Sequence, residues 1–162
     1  MSKRILIFLG LFAVCIFLCQ TPAVFADDRF TDNGDGTVTD HVLGVMWSKA
    51  DNQGDINWKQ ARQWVKYTFP DTLKNKYDNW RLPTLKELES LYNEDPNYKG
   101  YEAACGQNVR IVSILKLSCG WAWASDNKSI TANVYNFNRG YHYTDRMVHF
   151  RAYRALPVRT IK

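Results

Sequence analysis

The sequence predicts an α+β fold in which two helices pack beside an antiparallel sheet of short strands. Two segments in the middle of the chain carry apolar residues at helical spacing, whereas strand-like segments separated by turn residues occur near both ends. Because these strands must share a sheet to bury their apolar faces, the sheet draws on both ends of the chain. We therefore expect the N- and C-terminal strands to lie close together.

Residues 1–26 predict a secretory signal peptide that is not part of this fold. Two basic residues precede an apolar run over residues 5–19, and small residues lead to Ala26, after which we expect cleavage. The run is shorter than the roughly 20 residues that span a bilayer. Acylation of Cys19 is the alternative, although a bulky leucine precedes that cysteine. The prediction is an exported bacterial protein, periplasmic, cell-surface or secreted, with no membrane span after cleavage.

Cleavage leaves residues 27–162, a length that predicts one domain with a substantial core. This part carries all six tryptophans and all nine tyrosines, and its formal net charge is +3. The whole chain has 46% hydrophobic and 14% aromatic residues. That composition excludes disordered, collagen-like and coiled-coil proteins.

The first strands are predicted on either side of a tight turn. Residues 29–40 form two extended pieces around Asn33–Gly36, where the glycines adopt a positive φ at little cost. A second turn leads to Val45–Trp47, whose apolar composition predicts another strand.

The first helix is predicted over residues 58–67. Asn57 is a suitable N-cap, and Trp58, Ala61 and Val65 recur at helical spacing. Pro70 lacks the N–H that a helix interior needs, so we expect the helix to end before it.

The second helix is predicted after Asn79–Pro83, which is extended because the residue before a proline avoids the α region. Thr84 and Glu87 have the spacing of a capping box. The apolar face of this helix comprises Leu85, Leu88, Leu91 and Tyr92.

The segment that follows, residues 93–120, is predicted to be irregular apart from an apolar piece over residues 109–117. The strand pattern then returns. The predicted strands are residues 121–125, 132–143 and 148–158, with turns at residues 126–128 and 144–146.

Two cysteines, Cys105 and Cys119, follow the predicted cleavage site. An even pair in an oxidising compartment predicts one disulfide, and its closed loop would stabilise the fold by about 3 kcal/mol. A metal-binding pair or a reactive thiol is the alternative, although the sequence has neither a Cys-x-x-Cys motif nor a histidine adjacent to either cysteine.

Five segments of the exported part resemble, in the right order, the Lcl C-terminal domain family of bacterial exported proteins. They are Phe30–Asp40, Gly44–Trp47, Asn79–Leu88, Trp123–Ser125 and Tyr153–Arg159. The resemblance implies a C-type-lectin-like fold, which is also similar to the formylglycine-generating enzyme domain. A collagen-like adhesin of the family binds sulfated glycans. The present chain has no Gly-X-Y repeat, so the trimerisation and avidity of that adhesin do not follow.

Charge is distributed unevenly along the exported part. Residues 27–102 hold fourteen acidic and ten basic side chains, whereas residues 103–162 hold two acidic and nine basic ones. The C-terminal strands therefore predict a basic surface for an anionic partner. Arginine dominates this surface, and its planar guanidinium suits bidentate binding of sulfate, carboxylate or phosphate.

The candidate ligand-binding residues are arginines and aromatic residues that lie close together near the C-terminus. Flat aromatic rings stack on sugar rings, while their polar tips make hydrogen bonds. The candidates are Arg139, Tyr141, His142, Tyr143, Arg146 and Arg151. The alternative is that the aromatic residues are half-buried in strands and that the arginines pair with acidic residues of the first half.

Enzyme motifs are absent from the sequence, which has no Gly-x-Ser-x-Gly elbow, phosphate loop or His-Glu-x-x-His. Asp32–Asp40 resembles a calcium loop only superficially, because Val42 stands where such a loop needs glutamate. We therefore expect no catalytic residue, cofactor or metal site. A copper or thiol enzyme using Cys105 and Cys119 is the less favoured alternative that kinship to formylglycine-generating enzymes suggests.

The leading hypothesis is an exported, non-enzymatic module that binds an anionic glycan or envelope polymer. Nucleic acid is not an expected partner, because the protein is exported. A periplasmic or surface subunit that binds another protein is the alternative from a different class. An exposed apolar patch beside the basic one would favour that alternative.

Overall fold

The computed structural model describes residues 29–161 and has a mixed α+β architecture. The predicted signal peptide, its cleavage site and Cys19 lie outside the described residues. The helical segments are α1 (Trp58–Gln63), a π-helical turn (Trp64–Thr68), α2 (Phe69–Thr72) and α3 (Leu85–Glu89). The strands are β1 (Phe30–Asp32), β2 (Thr37–Asp40), β3 (Val45–Ser48), β4 (Tyr101–Glu102), β5 (Asn108–Val109), β6 (Trp121–Lys128), β7 (Thr131–Asn136), β8 (Tyr141–Arg146), β9 (Tyr153–Arg154) and β10 (Val158–Thr160). Within residues 29–161, no helix has the length and apolar character needed to cross a bilayer.

The first sheet has the strand order β1-β2-β3-β10, and all its pairings are antiparallel. The predicted turn joins β1 to β2, and the Asp35 carboxylate closes it by accepting a hydrogen bond from the backbone N–H of Thr37 at 3.1 Å. Strand β10 pairs with β3, with Val158 opposite Trp47. The N- and C-terminal strands are therefore neighbours, as predicted.

The second sheet has the strand order β8-β7-β6-β9, so β8 is an edge strand. The expectation of purely antiparallel pairing is wrong here, because β9 pairs with β6 in parallel, whereas β6, β7 and β8 are antiparallel. Successive residues of β6 point to opposite faces and enter two separate hydrophobic cores. Ala122 lies in the core that contains Trp47 and Leu88, whereas Trp123 lies in the core that contains Trp58. The centre of this sheet is thus covered on both faces.

The first helix begins at the predicted residue but ends later. The side chain of Asn57 caps it by accepting a hydrogen bond from the backbone N–H of Gln60 at 3.0 Å. The prediction that the helix ends before Pro70 is wrong, because the helical stretch continues to Thr72. After the π-helical turn, Pro70 falls in the first turn of α2, where a missing N–H costs little.

The second helix has the predicted capping box. The Thr84 hydroxyl accepts a hydrogen bond from the N–H of Glu87 at 3.2 Å, and the Glu87 carboxylate accepts one from the N–H of Thr84 at 2.7 Å. Regular helix ends at Glu89, so α3 is shorter than its apolar pattern suggests. Leu88 and Leu91 are nevertheless fully buried, as predicted.

The C-terminal strands occur in the predicted region with different boundaries. The single strand predicted over residues 132–143 is two strands, β7 and β8. The turns predicted at residues 126–128 and 144–146 instead lie inside β6 and β8. Residues 148–158 contain mainly loop and the short strand β9, with only Val158 belonging to β10.

The turn between β7 and β8 depends on Gly140. Its φ is +71°, and a Cβ at this position would lie 2.6 Å from the Tyr92 ring. Only glycine meets both conditions without strain. The Asn-Arg-Gly sequence of this turn is the local signal that could have located it.

The long segment over residues 93–120 is mainly irregular, as predicted, and contains only the two-residue strands β4 and β5. Its apolar piece is buried, with Val109, Ile111 and Leu115 fully inaccessible. The predicted disulfide is confirmed, since Cys105 and Cys119 are joined and their Cα atoms lie 5.4 Å apart.

Candidate functional site

The edge strand β8 divides the predicted ligand-binding residues between its two faces. Tyr143 lies opposite Val134, whereas His142 lies opposite Tyr135 on the other face. Tyr141 shares the face of Tyr143 because it is two residues away. The six candidates therefore do not form one patch, and each face must be considered separately.

On the first face, the rings of Trp121, Tyr141 and Tyr143 form a cluster that we call the aromatic patch. The ring of Trp121 lies 6.0 Å from that of Tyr141 and 5.3 Å from that of Tyr143, nearly perpendicular to both. Tyr141 is 44% exposed, and the other two residues are half-buried. This patch offers ring surface to a ligand at the open edge of the sheet.

A hydrogen-bond network holds the inner end of the patch. The Tyr143 and Tyr153 hydroxyls lie 2.7 Å apart, and Tyr153 donates to the Asp145 carboxylate. The other oxygen of that carboxylate lies 2.7 Å from Nδ1 of His149. Burial raises the pKa of Tyr153, and its hydrogen bonds to Asp145 and Tyr143 raise it further. The patch is therefore linked by hydrogen bonds from Tyr143 in β8 to Tyr153 in β9.

Arg151 is a cation in the loop that follows β8, between His149 and Tyr153 of this network. Burial raises the pKa of Tyr143, and the Arg151 guanidinium opposes that rise. Arg151 is exposed, and no carboxylate of residues 29–161 lies within salt-bridge distance of it. The guanidinium is thus available to an anionic group of a ligand that stacks on the patch.

The second face of β8 carries His142 and Arg146. Nδ1 of His142 lies 3.2 Å from a carboxylate oxygen of Glu89 in α3, so this histidine has a neighbour in the protein. Arg139 lies in the hairpin turn, where its backbone N–H donates to the side chain of Asn136 at 3.2 Å. The length of β8 places the two ends of the hairpin roughly 17 Å apart, so Arg139 and Arg146 do not share one small site.

The basic residues of the C-terminal segment fall into two groups. Arg154 and Arg159 are tied to acidic residues, with distances of 2.7 Å to Asp55 and 3.6 Å to Asp78. Arg139, Arg146 and Arg151 are exposed and have no carboxylate of residues 29–161 within salt-bridge distance. Internal pairing with the first half therefore accounts for only part of the basic charge.

The buried member of the first group, Arg154, belongs to a polar cluster that the sequence did not reveal. Its Nε donates to the Ser118 hydroxyl at 2.6 Å and lies 3.9 Å from Asp51. Asp51 also accepts a hydrogen bond from the backbone N–H of Ser118 at 2.7 Å. Burial raises the pKa of Asp51 despite these donors. The cluster joins residues far apart in the chain and stabilises the fold.

Trp121 belongs to the aromatic patch but is not among the ligand-binding residues that the sequence predicts. Trp123, two residues later, is fully buried, and the two rings belong to the same cluster. The edge position of the neighbouring hairpin leaves Trp121 partly accessible. Within the described residues, no group of three or more histidine, cysteine or acidic side chains is placed to hold a metal ion.

Comparison with protein families identifies the chain. The model of the Lcl C-terminal domain matches residues 36–159, which include the second sheet, the disulfide and all of the aromatic patch. No curated protein matches the chain.

Proposed function

The chain belongs to the Lcl C-terminal domain family, and we propose that it is an exported, non-enzymatic module that binds an anionic glycan or envelope polymer. We further propose that its fold is C-type-lectin-like, as the family resemblance implies. The single observation that carries the proposed function is the aromatic patch of Trp121, Tyr141 and Tyr143 together with the exposed Arg151 in the loop after β8, which has no carboxylate of residues 29–161 within salt-bridge distance.

The chemistry of this patch supports an anionic sugar as the ligand. Aromatic rings bind the apolar faces of sugar rings, and a guanidinium binds a sulfate or carboxylate group with two parallel hydrogen bonds. Tyr141 is exposed at the edge strand, where a bulky polymer has access. Export is supported by the predicted signal peptide and by the disulfide, since such bonds persist in oxidising compartments.

The two faces of β8 provide the test. Alanine variants of Tyr141 and Arg151 should weaken binding to a sulfated or uronate glycan by roughly fivefold each, because each removes one contact of about 1 kcal/mol. The matched control is Arg146→Ala, which removes an exposed arginine from the opposite face. Affinity is measured by calorimetry at two salt concentrations.

The outcomes separate the two faces. Loss of affinity in Tyr141→Ala and Arg151→Ala with little change in Arg146→Ala supports the aromatic patch. The reverse pattern would place the ligand on the face of His142 and Arg146. Unchanged affinity in all three variants would exclude β8 as the binding strand, and no binding by the unmodified protein would refute the proposed function.

A protein-binding subunit is the second candidate, and one observation favours it. Ile130 and Val148 are 64% and 68% exposed, and the backbone joins their neighbourhoods because the N–H of Met147 donates to the carbonyl of Ile130 at 3.0 Å. These apolar side chains lie beside the basic Arg146. Ile130→Ser/Val148→Ser would abolish binding to a protein partner without affecting glycan affinity.

The alternative of a copper or thiol enzyme requires that Cys105 and Cys119 be two free thiols. In the structure, Cys105 and Cys119 are bonded to each other, so neither sulfur is free to bind copper or react as a thiol. A thiol titration of the denatured protein checks this point, and it should detect no free thiol in the mature chain.

A further inference from the structure

We propose that the protein has a second binding site, a groove along the outer side of the helical stretch Trp58–Thr72, and that this groove holds a linear polyanion in an extended form. The class of ligand rests on the proposed function. The groove itself is formed by other residues than the aromatic patch, so the two can be tested separately.

The groove consists of four shallow depressions that share lining residues. Lys59 lines the first and second, Arg62 lines the second and third, and Lys66 lines the second, third and fourth. The first depression reaches Phe150, next to Arg151, and the fourth reaches Tyr77. A helical stretch of this length spans roughly 22 Å, so the groove suits an extended chain rather than a compact end group.

The charge of the groove is of one sign along most of its length. Lys59, Arg62 and Lys66 are exposed on this side of the helix, and no acidic residue occurs between Ile56 and Pro70. No carboxylate of residues 29–161 lies within salt-bridge distance of these three side chains. Acidic residues line only the two ends of the groove, which are Asp55 and Asp78.

The position of Lys59 opposes the stability of the helix. The first turn of α1 contains this cation and no acidic residue, although the positive end of the helix dipole favours the opposite arrangement. Positive charge kept against a local preference, with no internal partner, indicates a partner outside the fold. A negatively charged ligand would supply it.

Aromatic rings and an unsatisfied donor line the same groove. Arg62 lies 4.8 Å from the Trp58 ring and Lys66 lies 4.9 Å from the Tyr67 ring, so both cations are held over flat surfaces. Trp80, which lines the third and fourth depressions, is 3% exposed, and its indole N–H has no hydrogen-bond partner within the described part of the chain. Buried donors normally have partners, so this N–H is an exception in the wall of the groove.

The charge of the groove therefore indicates which class of ligand it binds. Three cations in a row, two of them over aromatic rings, match a chain that repeats a negative charge and an apolar ring face, as an acidic polysaccharide does. The sequence pattern does not mark this face, because Trp58, Ala61 and Val65 account for the helix by packing alone.

The test compares two triple variants of the protein with the same change in net charge. The groove variant is Lys59→Gln/Arg62→Gln/Lys66→Gln. The control variant, Lys86→Gln/Lys99→Gln/Lys116→Gln, removes three exposed cations elsewhere. The probes are oligogalacturonates of two lengths, a disaccharide and an octasaccharide, with polyglutamate as a peptide polyanion. Circular dichroism and thermal unfolding check that both variants are folded.

The groove variant should lose roughly tenfold in affinity for the octasaccharide, with a smaller dependence on salt, and the control variant should lose less than about twofold. The unmodified protein should bind the octasaccharide more tightly than the disaccharide, because only the longer chain contacts all three cations.

Three results would overturn the groove. They are equal losses in the two triple variants, equal affinity for the two chain lengths, and binding of polyglutamate without binding of either saccharide, which would assign the groove to an acidic protein segment. If the groove variant is unchanged while Tyr141→Ala and Arg151→Ala lose affinity, the groove fails and the proposed function stands. If the unmodified protein binds no polyanionic glycan, the proposed function fails as well.

Discussion

The strand β9 and the loop that precedes it each hold an arginine, yet the two arginines are used in opposite ways. Arg154 in β9 is buried and contacts Ser118, Asp51 and Asp55. Arg151 lies only three residues earlier and is exposed without an acidic partner in residues 29–161. Of these two neighbours in sequence, Arg154 thus belongs to the buried cluster and Arg151 to the candidate binding surface.

The physical reason is the cost of removing charge from water. A buried guanidinium must recover its lost hydration from acidic groups and hydrogen-bond acceptors, and it then becomes part of the fold. An exposed guanidinium remains hydrated and keeps its charge available for a ligand. A count of positive residues along the chain therefore overestimates the charge that a partner can use.

The sharpest test of this comparison replaces each of the two arginines by methionine. Arg154→Met leaves Asp51 buried without its cation, so we expect the free energy of unfolding to fall by about 3–5 kcal/mol. Arg151→Met, the matched control, should change it by no more than about 0.5 kcal/mol. Urea denaturation followed by tryptophan fluorescence measures both.

A second variant tests whether the loss of stability comes from the unpaired carboxylate rather than from the replacement of the arginine side chain itself. Asp51→Asn/Arg154→Met removes both buried charges, and it should recover part of the lost stability because no buried carboxylate is left without its cation; Asp55, the other partner of Arg154, is exposed to water. Similar stabilities for Arg151→Met and Arg154→Met would show that the buried cluster does not distinguish the two regions.

The next effect in size concerns the disulfide, which ends one residue after Ser118 of the buried cluster. Cys105→Ser/Cys119→Ser should lower the free energy of unfolding by about 3 kcal/mol, because the unfolded chain regains the freedom of the closed loop. Glycan binding by the aromatic patch should persist in the protein that remains folded. If the variant is fully folded but no longer binds glycan, the disulfide and the aromatic patch are coupled, and the distinction between the structural cluster and the binding surface fails.

The smallest effect is a difference in how the stability contributed by two aspartates depends on pH. Asp51 contacts Arg154 in the buried cluster, whereas Asp145 belongs to the network that holds the aromatic patch. The pKa of Asp51 is raised by burial, so its contribution to stability declines as pH rises through the folded pKa. Burial alone would also raise the pKa of Asp145, but donors from Tyr153, Arg146 and His149 lower it. The contribution of Asp145 is therefore present above the ordinary aspartate pKa of 3.8 and is lost as pH falls through the folded pKa.

Asparagine variants should show these opposite signs. Relative to the unmodified protein, the stability deficit of Asp145→Asn should shrink between neutral pH and pH of about 3, whereas that of Asp51→Asn should grow. Denaturation curves at both pH values measure the deficits. If the stability deficits of the two variants change in the same direction, the opposite pKa shifts assigned to Asp51 and Asp145 are wrong.

Sequence patterns predicted the parts of the fold that depend on neighbouring residues. The turn at Asn33–Gly36, the N-cap Asn57, the capping box of Thr84 and Glu87, and the disulfide all occur as predicted. Predictions failed where distant contacts decide. Pro70 is tolerated because a π-helical turn precedes it, and the strand predicted over residues 132–143 breaks where Gly140 meets the Tyr92 ring.

The candidate site was predicted only in part, because it also depends on contacts between distant segments. The sequence grouped six residues as one candidate site, and only the pairing of β8 shows that Tyr141 and Tyr143 lie on one face and His142 on the other. The sequence also could not show that β8 is an edge strand. That position exposes the rings of the aromatic patch, including Trp121. It is set by the pairing order of four strands, which no local pattern records.

By itself, the sequence determined the α+β class, the caps of its two helices, the pairing of its two later cysteines and an excess of positive charge near its C-terminus. Only the tertiary structure decided which charges are used. Arg154 meets Asp55 from 99 positions away, whereas the cations of the helix groove meet no acidic partner in the described residues. Local conformation follows from adjacent residues, but burial and charge pairing depend on segments that approach each other only in the folded chain.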